Sequence, residues 1–311
     1  MLYHNTVKAA VAASLVALVT PAHALNIVTT VAPLSSLVMQ VAGQQDSVEW
    51  LLPANVSPHD FQLKPSQRRS IASADVVFWV GPSLESGMAS VLSQSPKAHA
   101  FSEFTGHDDH QGHDDYKGHD DHEGHDDHEG HDDHEGHAHD DAHPWMSVAE
   151  SVEIIEFIEA ELTEAAPERA AEFADNAAQA IAKLEAKAGN WRAQMEGLPE
   201  LRYWVFHDAY QPFEHEYGIQ RTGVIQANVN VNPTARQVGA LRDEVGQAGG
   251  CVFAEPQMDQ RWIDLVVSDT PVYQGLLDPL GSQYDVDVDL HSKLLSSVVA
   301  SFVSCAEWRA N

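Results

Sequence analysis

Short apolar segments alternate along the chain with longer stretches of helical periodicity. From residue 25 onward, the strand-like segments LNIVTTV, VEWLL and DVVFWVG are separated by helix-like stretches at 34–42 and 66–74, the second with Ser66 as its N-cap. Strands that alternate with helices favour a parallel sheet, because the chain must cross back over the sheet between parallel neighbours. The first part of the sequence therefore predicts an α/β lobe.

A second series of the same kind follows after residue 200. The strand-like segments LRYWVFHD, GIQRTGVI and GCVFAE surround a helix-like stretch at 234–248. Further along, the apolar segment WIDLVVSD at 262–269 favours a strand, and 292–308 favours a C-terminal helix. We therefore expect an α/β protein with two lobes, each a mainly parallel sheet flanked by helices.

The sequence between the two series favours one long helix. Residues 167–195 are rich in Ala, Glu, Lys, Gln and Leu, with apolar residues near helical spacing. Such a helix would be about 43 Å long at 1.5 Å per residue, and Pro167 separates it from a shorter helix at 147–165. We predict an N-terminal lobe at 25–166, a rigid linking helix at 167–196 and a C-terminal lobe at 197–311.

The N-terminal segment has the three parts of a secretory signal peptide. Lys8 provides a positive charge, residues 9–20 form an apolar run, and Ala22-His23-Ala24 matches the A-x-A cleavage pattern. The apolar run is shorter than the roughly 20 residues that span a bilayer. No Cys follows it as a lipidation site. We expect a signal peptide at 1–24, a mature chain from Leu25, and a location in the periplasm of a Gram-negative cell.

A repeated His- and Asp-rich segment interrupts the N-terminal lobe. Residues 107–136 repeat a six-residue unit five times, as HDDHQG, HDDYKG and then three copies of HDDHEG. From 107 to 143 the sequence has 12 His, 15 Asp or Glu and one Lys, with too few apolar residues to form a core. We expect a disordered tract at 106–142 that binds divalent metals through imidazole and carboxylate groups. The alternative is a solvating spacer.

Charge and cysteine content narrow the possible partners and compartments. The formal charge is −30, of which residues 107–143 contribute −14 through one Lys and 15 acidic residues. An acidic chain repels nucleic-acid phosphates, so we expect no nucleic-acid partner. The two cysteines, Cys251 and Cys305, are expected to form a disulfide in an oxidising compartment. Two free buried thiols are the alternative.

Three histidines outside the repeats lie where an α/β fold places its ligands. His59 follows the predicted strand VEWLL, His207 ends the strand that begins near Tyr203, and His143 precedes the ordered sequence Pro-Trp-Met-Ser. Open α/β sheets bind ligands beyond the carboxyl ends of their strands. A lone histidine there is more often a hydrogen-bonded surface or core residue, but three such residues from both lobes can meet in one cleft.

Longer segments around these histidines carry a family resemblance. In chain order, the sequence contains LLPANVSPHDFQLKPSQRRSIASADVVFWVGPSLE, AHPWMS, VFHDAYQPFEHEYGI, CVFAEPQ and LLDPLG. This set resembles the ABC-transporter solute-binding proteins that carry zinc or manganese, known as cluster A-I. The long His-rich insertion is most similar to the ZnuA-type, zinc-binding branch. The resemblance implies two α/β lobes joined by one rigid helix, with a metal site in the cleft between them.

The resemblance also implies four metal ligands, which are three imidazoles and one carboxylate: His59, His143, His207 and Asp278. The neighbours His137 and His139 are alternatives to the second of these. Glu255 or a water molecule is an alternative to the carboxylate, because the sequence Asp-Pro-Leu-Gly is also typical of a turn.

The ligand types bear on the choice of metal. Some zinc-binding members of the family have a Glu immediately before the first histidine, but Pro58 stands there in this chain. Three imidazoles and one oxygen suit tetrahedral Zn²⁺, whereas Mn²⁺ favours more carboxylates. The resemblance therefore implies zinc as the transported ligand.

The function implied by the resemblance is high-affinity capture of Zn²⁺ in the periplasm. The expected partners are an inner-membrane ABC permease and its cytoplasmic ATPase, and the protein is expected to be a monomer and not an enzyme. One alternative is a periplasmic zinc buffer or chaperone that works without a transporter. A zinc hydrolase is a further alternative, but the sequence contains neither H-E-x-x-H nor G-x-S-x-G.

Overall fold

The computed structural model of the chain describes residues 23–53, 55–104, 142–229 and 231–310. The signal peptide predicted at 1–24 and the tract predicted at 106–142 lie outside these residues, apart from residues 23, 24 and 142. The first sheet has four parallel strands. They are β1 (Asn26–Thr29), β2 (Ser47–Trp50), β3 (Val76–Trp79) and β4 (Ala98–Ala100).

The second sheet repeats the first. It consists of the parallel strands β5 (Tyr203–Val205), β6 (Gly223–Val224), β7 (Cys251–Ala254) and β8 (Tyr273–Leu276). The strand order is β2-β1-β3-β4 in the first sheet and β6-β5-β7-β8 in the second, so that β1 corresponds to β5 and β3 to β7. The prediction of two parallel α/β lobes is confirmed.

The helices of the first lobe connect its strands in the crossover manner of a parallel sheet. The prediction that Ser66 caps the second helix is wrong. The helix begins at Pro65, because the fixed φ of proline suits the first helical position, and the Gln67 side chain accepts a hydrogen bond from Lys64 N at 2.8 Å. The helices are α1 (Ala32–Val41), α2 (Pro65–Ser73), α3 (Ser86–Leu92), α4 (Phe101–Phe104) and α5 (Val148–Ala165).

The long joining helix is confirmed as α6 (Ala170–Met195), preceded by a 3₁₀ helix at Pro167–Arg169. It buries one face against α1, α5 and the C-terminal helix. The buried residues recur every three or four positions, as expected for an amphipathic helix: Phe173, Ala177, Ala180, Leu184, Ala188, Trp191 and Met195. The lobe limits at 166 and 196 stay a prediction.

The second lobe contains one element that was predicted wrongly. Residues 262–269 do not form a strand, because most of them belong to α9 (Gln260–Val267). Its buried residues Ile263, Val266 and Val267 have the spacing of one helix face, and the Asp259 side chain caps it by accepting from Arg261 N at 3.1 Å. The other helices are α7 (Gln211–Tyr217), α8 (Ala235–Ala248) and α10 (Leu290–Ala310).

The C-terminal helix α10 holds the two lobes together. It contacts α1 of the first lobe, the long helix α6, and β8 of the second lobe. Cys305 in α10 forms a disulfide with Cys251 in β7, as predicted. In the described part of the chain, none of the helices combines the length and the apolar character needed to cross a membrane.

Candidate metal centre

His59 lies in the loop that follows β2. Its backbone N–H donates to Ser57 Oγ at 3.4 Å, and its carbonyl oxygen accepts a hydrogen bond from Ser86 Oγ at 2.7 Å. Ser86 is the first residue of α3, so the loop is attached to the lobe by a contact to its backbone. This arrangement places the half-buried His59 imidazole at the carboxyl edge of the first sheet.

His143 immediately precedes a buried 3₁₀ helix at Pro144–Met146. Trp145 Nε1 donates to the Pro279 carbonyl at 2.6 Å, which connects this segment to the second lobe. The ring centroids of His143 and Trp145 are 5.3 Å apart. The segment that carries His143 therefore lies in the first lobe by sequence, and Trp145 connects it to the second lobe.

His207 follows β5 and is held by Glu255, which follows β7. These two strands are parallel neighbours, so their carboxyl ends meet at the same edge of the sheet. Glu255 accepts from the His207 backbone N–H at 3.1 Å, and its other oxygen lies 2.6 Å from His207 Nδ1. A carboxylate bound to one ring nitrogen of a histidine orients the ring and leaves the other nitrogen, here Nε2, for a metal.

The three predicted histidines come together between the lobes. One ligand atom from each of His59, His143 and His207 can be chosen so that all lie within 4.8 Å of one another. Their ring centroids are 5.2–5.5 Å apart. The cavity among them has a volume of about 10 Å³, which is the scale of one water molecule or one ion. This geometry fits a single metal ion bound by imidazole nitrogens.

Asp278 is buried close to the site but is engaged by its own loop. Its Oδ1 accepts from Gln257 Nε2 at 2.8 Å and from Leu280 N at 3.1 Å. Its Oδ2 accepts from Ser282 N at 2.6 Å and from Ser282 Oγ at 2.7 Å. Within the described residues, Asp278 is not a member of the group of ligand atoms formed by the imidazoles. Its role as the fourth ligand stays a prediction.

The surroundings of the imidazoles are anionic. Glu255 and Asp278 are each only 2% exposed. The nearby Tyr210 phenol has a pKa raised well above its ordinary value by burial and by the negative charges of Glu255 and Asp278. Among the described residues that line the cavity, none is Lys or Arg. A cavity lined by the buried carboxylate of Glu255, with a second carboxylate close by and no cation among its lining residues, favours a positively charged ligand.

Sequence reasoning missed the roles of two residues near the site. Glu255 was predicted only as an alternative oxygen ligand, although its place after the strand next to that of His207 could have indicated its contact with that imidazole. His291 was not selected, yet its Nε2 lies 2.8 Å from the Trp145 carbonyl and 3.1 Å from Ser151 Oγ. Burial lowers the pKa of His291 to about 4, so a neutral imidazole supports the His143 segment from α10.

The class of protein follows from the fold and the site. This is a two-lobed binding protein, with two parallel-sheet lobes, a long joining helix and a candidate metal site of three imidazoles in the cleft between the lobes. Comparison with known proteins agrees with this class. A solved structure described as the crystal structure of ZnuA covers 91% of this chain and 100% of its own, with a TM-score of 0.72 and 20% identity. That likeness concerns the fold.

Sequence comparison identifies the family. Its model, described as ZnuA, zinc-uptake complex component A, periplasmic, matches residues 27–305. A high-affinity zinc uptake system protein ZnuA from Paracoccus denitrificans is 37% identical over 298 residues, covering 90% of this chain and 91% of the relative. One from Haemophilus ducreyi is 35% identical over 292 residues, covering 90% and 93%. The chain belongs to the ZnuA family.

Proposed function

We propose that this protein captures Zn²⁺ in the periplasm and delivers it to an ABC importer. The single observation that carries the proposal is the group of three imidazoles, contributed by both lobes, that converge within 4.8 Å. The curated relatives named as high-affinity zinc uptake system proteins support the choice of zinc. The protein acts as a monomer and releases its ligand to an inner-membrane permease driven by a cytoplasmic ATPase.

The ligand set that we propose is His59, His143 and His207 with one oxygen. Three nitrogens and an oxygen form a tetrahedral, borderline-soft site that suits Zn²⁺. Cu²⁺ binds imidazole more tightly still, so selection between the two in the cell depends on geometry and availability. Titration of zinc against a competing chelator tests the site in a protein that lacks residues 106–136. We expect one tight zinc ion per chain, and the absence of tight binding would contradict the proposal.

The oxygen ligand is assigned to Asp278, which has to exchange one of its hydrogen bonds for the metal. We expect Asp278→Asn to weaken zinc binding about tenfold or more, because the replacement loses the charge that neutralises the ion. Ser282→Ala is the matched control, since it removes one hydrogen bond from the same carboxylate and leaves its charge intact. If Asp278→Asn bound zinc as tightly as the control, water would be the better assignment.

We propose that the site performs no chemistry. A zinc hydrolase needs an open coordination position and a base to activate water. Glu255 is the nearest candidate base, but both of its oxygens are directed at His207. Hydrolysis of activated ester and peptide substrates by the zinc-loaded protein should therefore not exceed the rate of the His207→Ala variant.

A zinc buffer that works without a transporter is the second candidate, and the His- and Asp-rich tract at 106–142 favours it. Growth in chelated medium separates the two functions. For an importer component, deleting this gene together with the permease gene should impair growth no more than deleting either gene alone. For a buffer, the two defects should add. In both cases added zinc should restore growth.

A further inference from the structure

An ionic cluster around the buried side chains of Asp46 and Arg169 lies beside Leu25, the residue that precedes β1. The Asp46 side chain is fully buried. Its Oδ1 accepts from Arg169 Nη1 at 2.7 Å and from the backbone nitrogen of Leu25 at 2.8 Å. Its Oδ2 accepts from Arg169 Nη2 and from Gly43 N, both at 2.8 Å. The nitrogen of Leu25 therefore already lies against a buried carboxylate.

The charges of this cluster do not balance. Arg169, with a side chain only 2% exposed, also donates to Glu172 from Nε at 3.0 Å and from Nη2 at 2.9 Å. One guanidinium thus faces two carboxylates. Burial acts to raise the pKa of Asp46, but the hydrogen bonds from Arg169, Leu25 and Gly43 hold it below its ordinary value, so Asp46 is charged. Asp46 and Arg169 form the buried pair of this cluster, and Glu172, whose side chain is 39% exposed, adds a second negative charge at its solvent edge.

The exposure of the chain changes abruptly between Ala24 and Leu25. His23 and Ala24 are exposed, whereas Leu25 is 3% exposed. The His23 carbonyl accepts a hydrogen bond from Arg169, and this bond is long, at 3.4 Å. From Leu25 onward the chain is tied down, because the Leu25 carbonyl accepts from Ser47 N at 2.9 Å. The same peptide bond is the one that the A-x-A pattern Ala22-His23-Ala24 marks for cleavage.

We infer that the carboxylate of Asp46 is a binding site for the α-ammonium group that signal-peptide cleavage creates on Leu25. Hydrolysis of the Ala24–Leu25 bond by water leaves a carboxylate on Ala24 and an amine on Leu25, and the amine takes up a proton. One amide N–H is then replaced by a cation with three donors, 2.8 Å from Asp46 Oδ1. The added charge balances the cluster of Asp46, Glu172 and Arg169.

The other charged groups around this position have opposite effects on the ammonium. Arg169 repels it. Asp46 and Glu172 attract it, and so does Asp75, which accepts a hydrogen bond from the next backbone nitrogen, Asn26 N, at 2.9 Å. Three carboxylates against one guanidinium favour the charged form of the amine. Because Arg169 directly precedes α6, the site fastens the new N-terminus of β1 to the beginning of the long joining helix. This inference does not depend on the proposed zinc function.

The first test is the protonation of the α-amine in the secreted, processed protein. Its mass should correspond to a chain that begins at Leu25. The pH at which acetylation of the α-amine reaches half of its maximal rate should lie at least one unit above the ordinary range of about 7.7–8.0, which corresponds to tenfold tighter proton binding. The matched control is the same precursor with one alanine inserted between Ala24 and Leu25. It is secreted and oxidised in the same way but carries its ammonium one residue away.

A different start residue, or an α-amine that titrates as in the control, would overturn the inference.

The second test is Asp46→Asn in both proteins, with urea unfolding as the readout. The folding equilibrium constant should fall at least fivefold more in the native-length chain than in the extended one, because only the former loses the pair between Asp46 and the ammonium. Equal losses would count against the site. If the Asp46→Asn variant does not fold, the acetylation of the α-amine in the native-length and extended proteins tests the inference by itself.

Discussion

The two lobes share one topology but differ in the chemistry of the edges where their strands end. Both place a buried carboxylate after corresponding strands, Glu85 after β3 and Glu255 after β7. Glu85 Oε2 accepts from the backbone nitrogens of Val80 and Gly81, both at 3.0 Å. Glu255 instead orients the imidazole of His207. A buried carboxylate beyond β3, at the start of α3, thus stabilises a turn in one lobe, and a buried carboxylate directly after β7 holds the candidate ligand His207 in the other.

The imidazoles themselves come from strands that do not correspond. His59 follows β2, whereas His207 follows β5, the counterpart of β1. The second lobe also contributes the buried Asp278 and supports His143 through Trp145. The candidate site is therefore asymmetric: the first lobe contributes His59 and His143, and the second lobe contributes His207, the buried carboxylates of Glu255 and Asp278, and the contact that holds the His143 segment.

The largest loss of zinc affinity is expected from replacing one of the candidate imidazole ligands with alanine. His207→Ala and His59→Ala should each weaken zinc binding by more than about 100-fold, because the loss of a ligand exceeds the 10- to 100-fold cost of losing a group that supports one. Competition titration of tract-deleted protein measures this. His215→Ala, which removes an exposed imidazole on α7, should bind as the unaltered protein does. If either ligand variant retained full affinity, the proposed site would be wrong.

The next largest effect is expected from Glu255→Gln. The neutral amide weakens the bond to His207 Nδ1, so zinc affinity should fall about 10- to 100-fold while the protein stays folded. Competition titration and thermal unfolding of the same sample separate the two outcomes. An affinity equal to that of the unaltered protein would mean that the asymmetry between the lobes has no bearing on metal binding.

Glu85→Gln should change stability and leave zinc affinity unchanged. Burial raises the pKa of Glu85 from 4.5 to about 7. The folded state therefore favours the protonated form, and the stability contributed by this group is present below pH 4.5 and is lost as the pH rises through 7. Relative to the unaltered protein, the variant should gain about 3 kcal/mol between pH 4 and pH 8. Urea unfolding across this range measures the gain, and a difference independent of pH would contradict the assignment.

Reduction of the disulfide, like Glu85→Gln, is expected to change stability and to leave zinc binding unchanged. Reducing Cys251–Cys305, which are separated by 54 residues, should lower the free energy of unfolding by about 4 kcal/mol in the chain-entropy model. The site should remain assembled, because β5 and β7 are also joined by backbone pairing. Thermal unfolding and zinc titration with and without reductant test both statements. A parallel loss of affinity would show that the second lobe depends on the bridge for its geometry.

The sequence predicted the parts of this molecule that depend on local pattern and topology. Parallel strands bring their carboxyl ends to one edge, which is why His59 and His207 could be selected. The segment at 262–269 was assigned wrongly because its adjacent valines are common in strands, although Ile263, Val266 and Val267 also have helical spacing. The bonds of Asp278 to Leu280 and Ser282 agree with the turn that Asp-Pro-Leu-Gly indicates, but its bond to Gln257 depends on how two loops pack together, which no local pattern encodes.

The C-terminal helix has a mechanical consequence. The helix α10 contacts α1 of the first lobe, β8 of the second lobe and the long helix α6. The two lobes are therefore connected by two helices, α6 and α10. Hinge bending would have to expose Leu294, Leu295 and Val298, which are each no more than 2% exposed, at a cost of about 2 kcal/mol for each large side chain. Opening of the His59 loop breaks the bond from Ser86 to the His59 carbonyl and can leave α10 in place. We therefore expect the loop to set the rate of metal exchange.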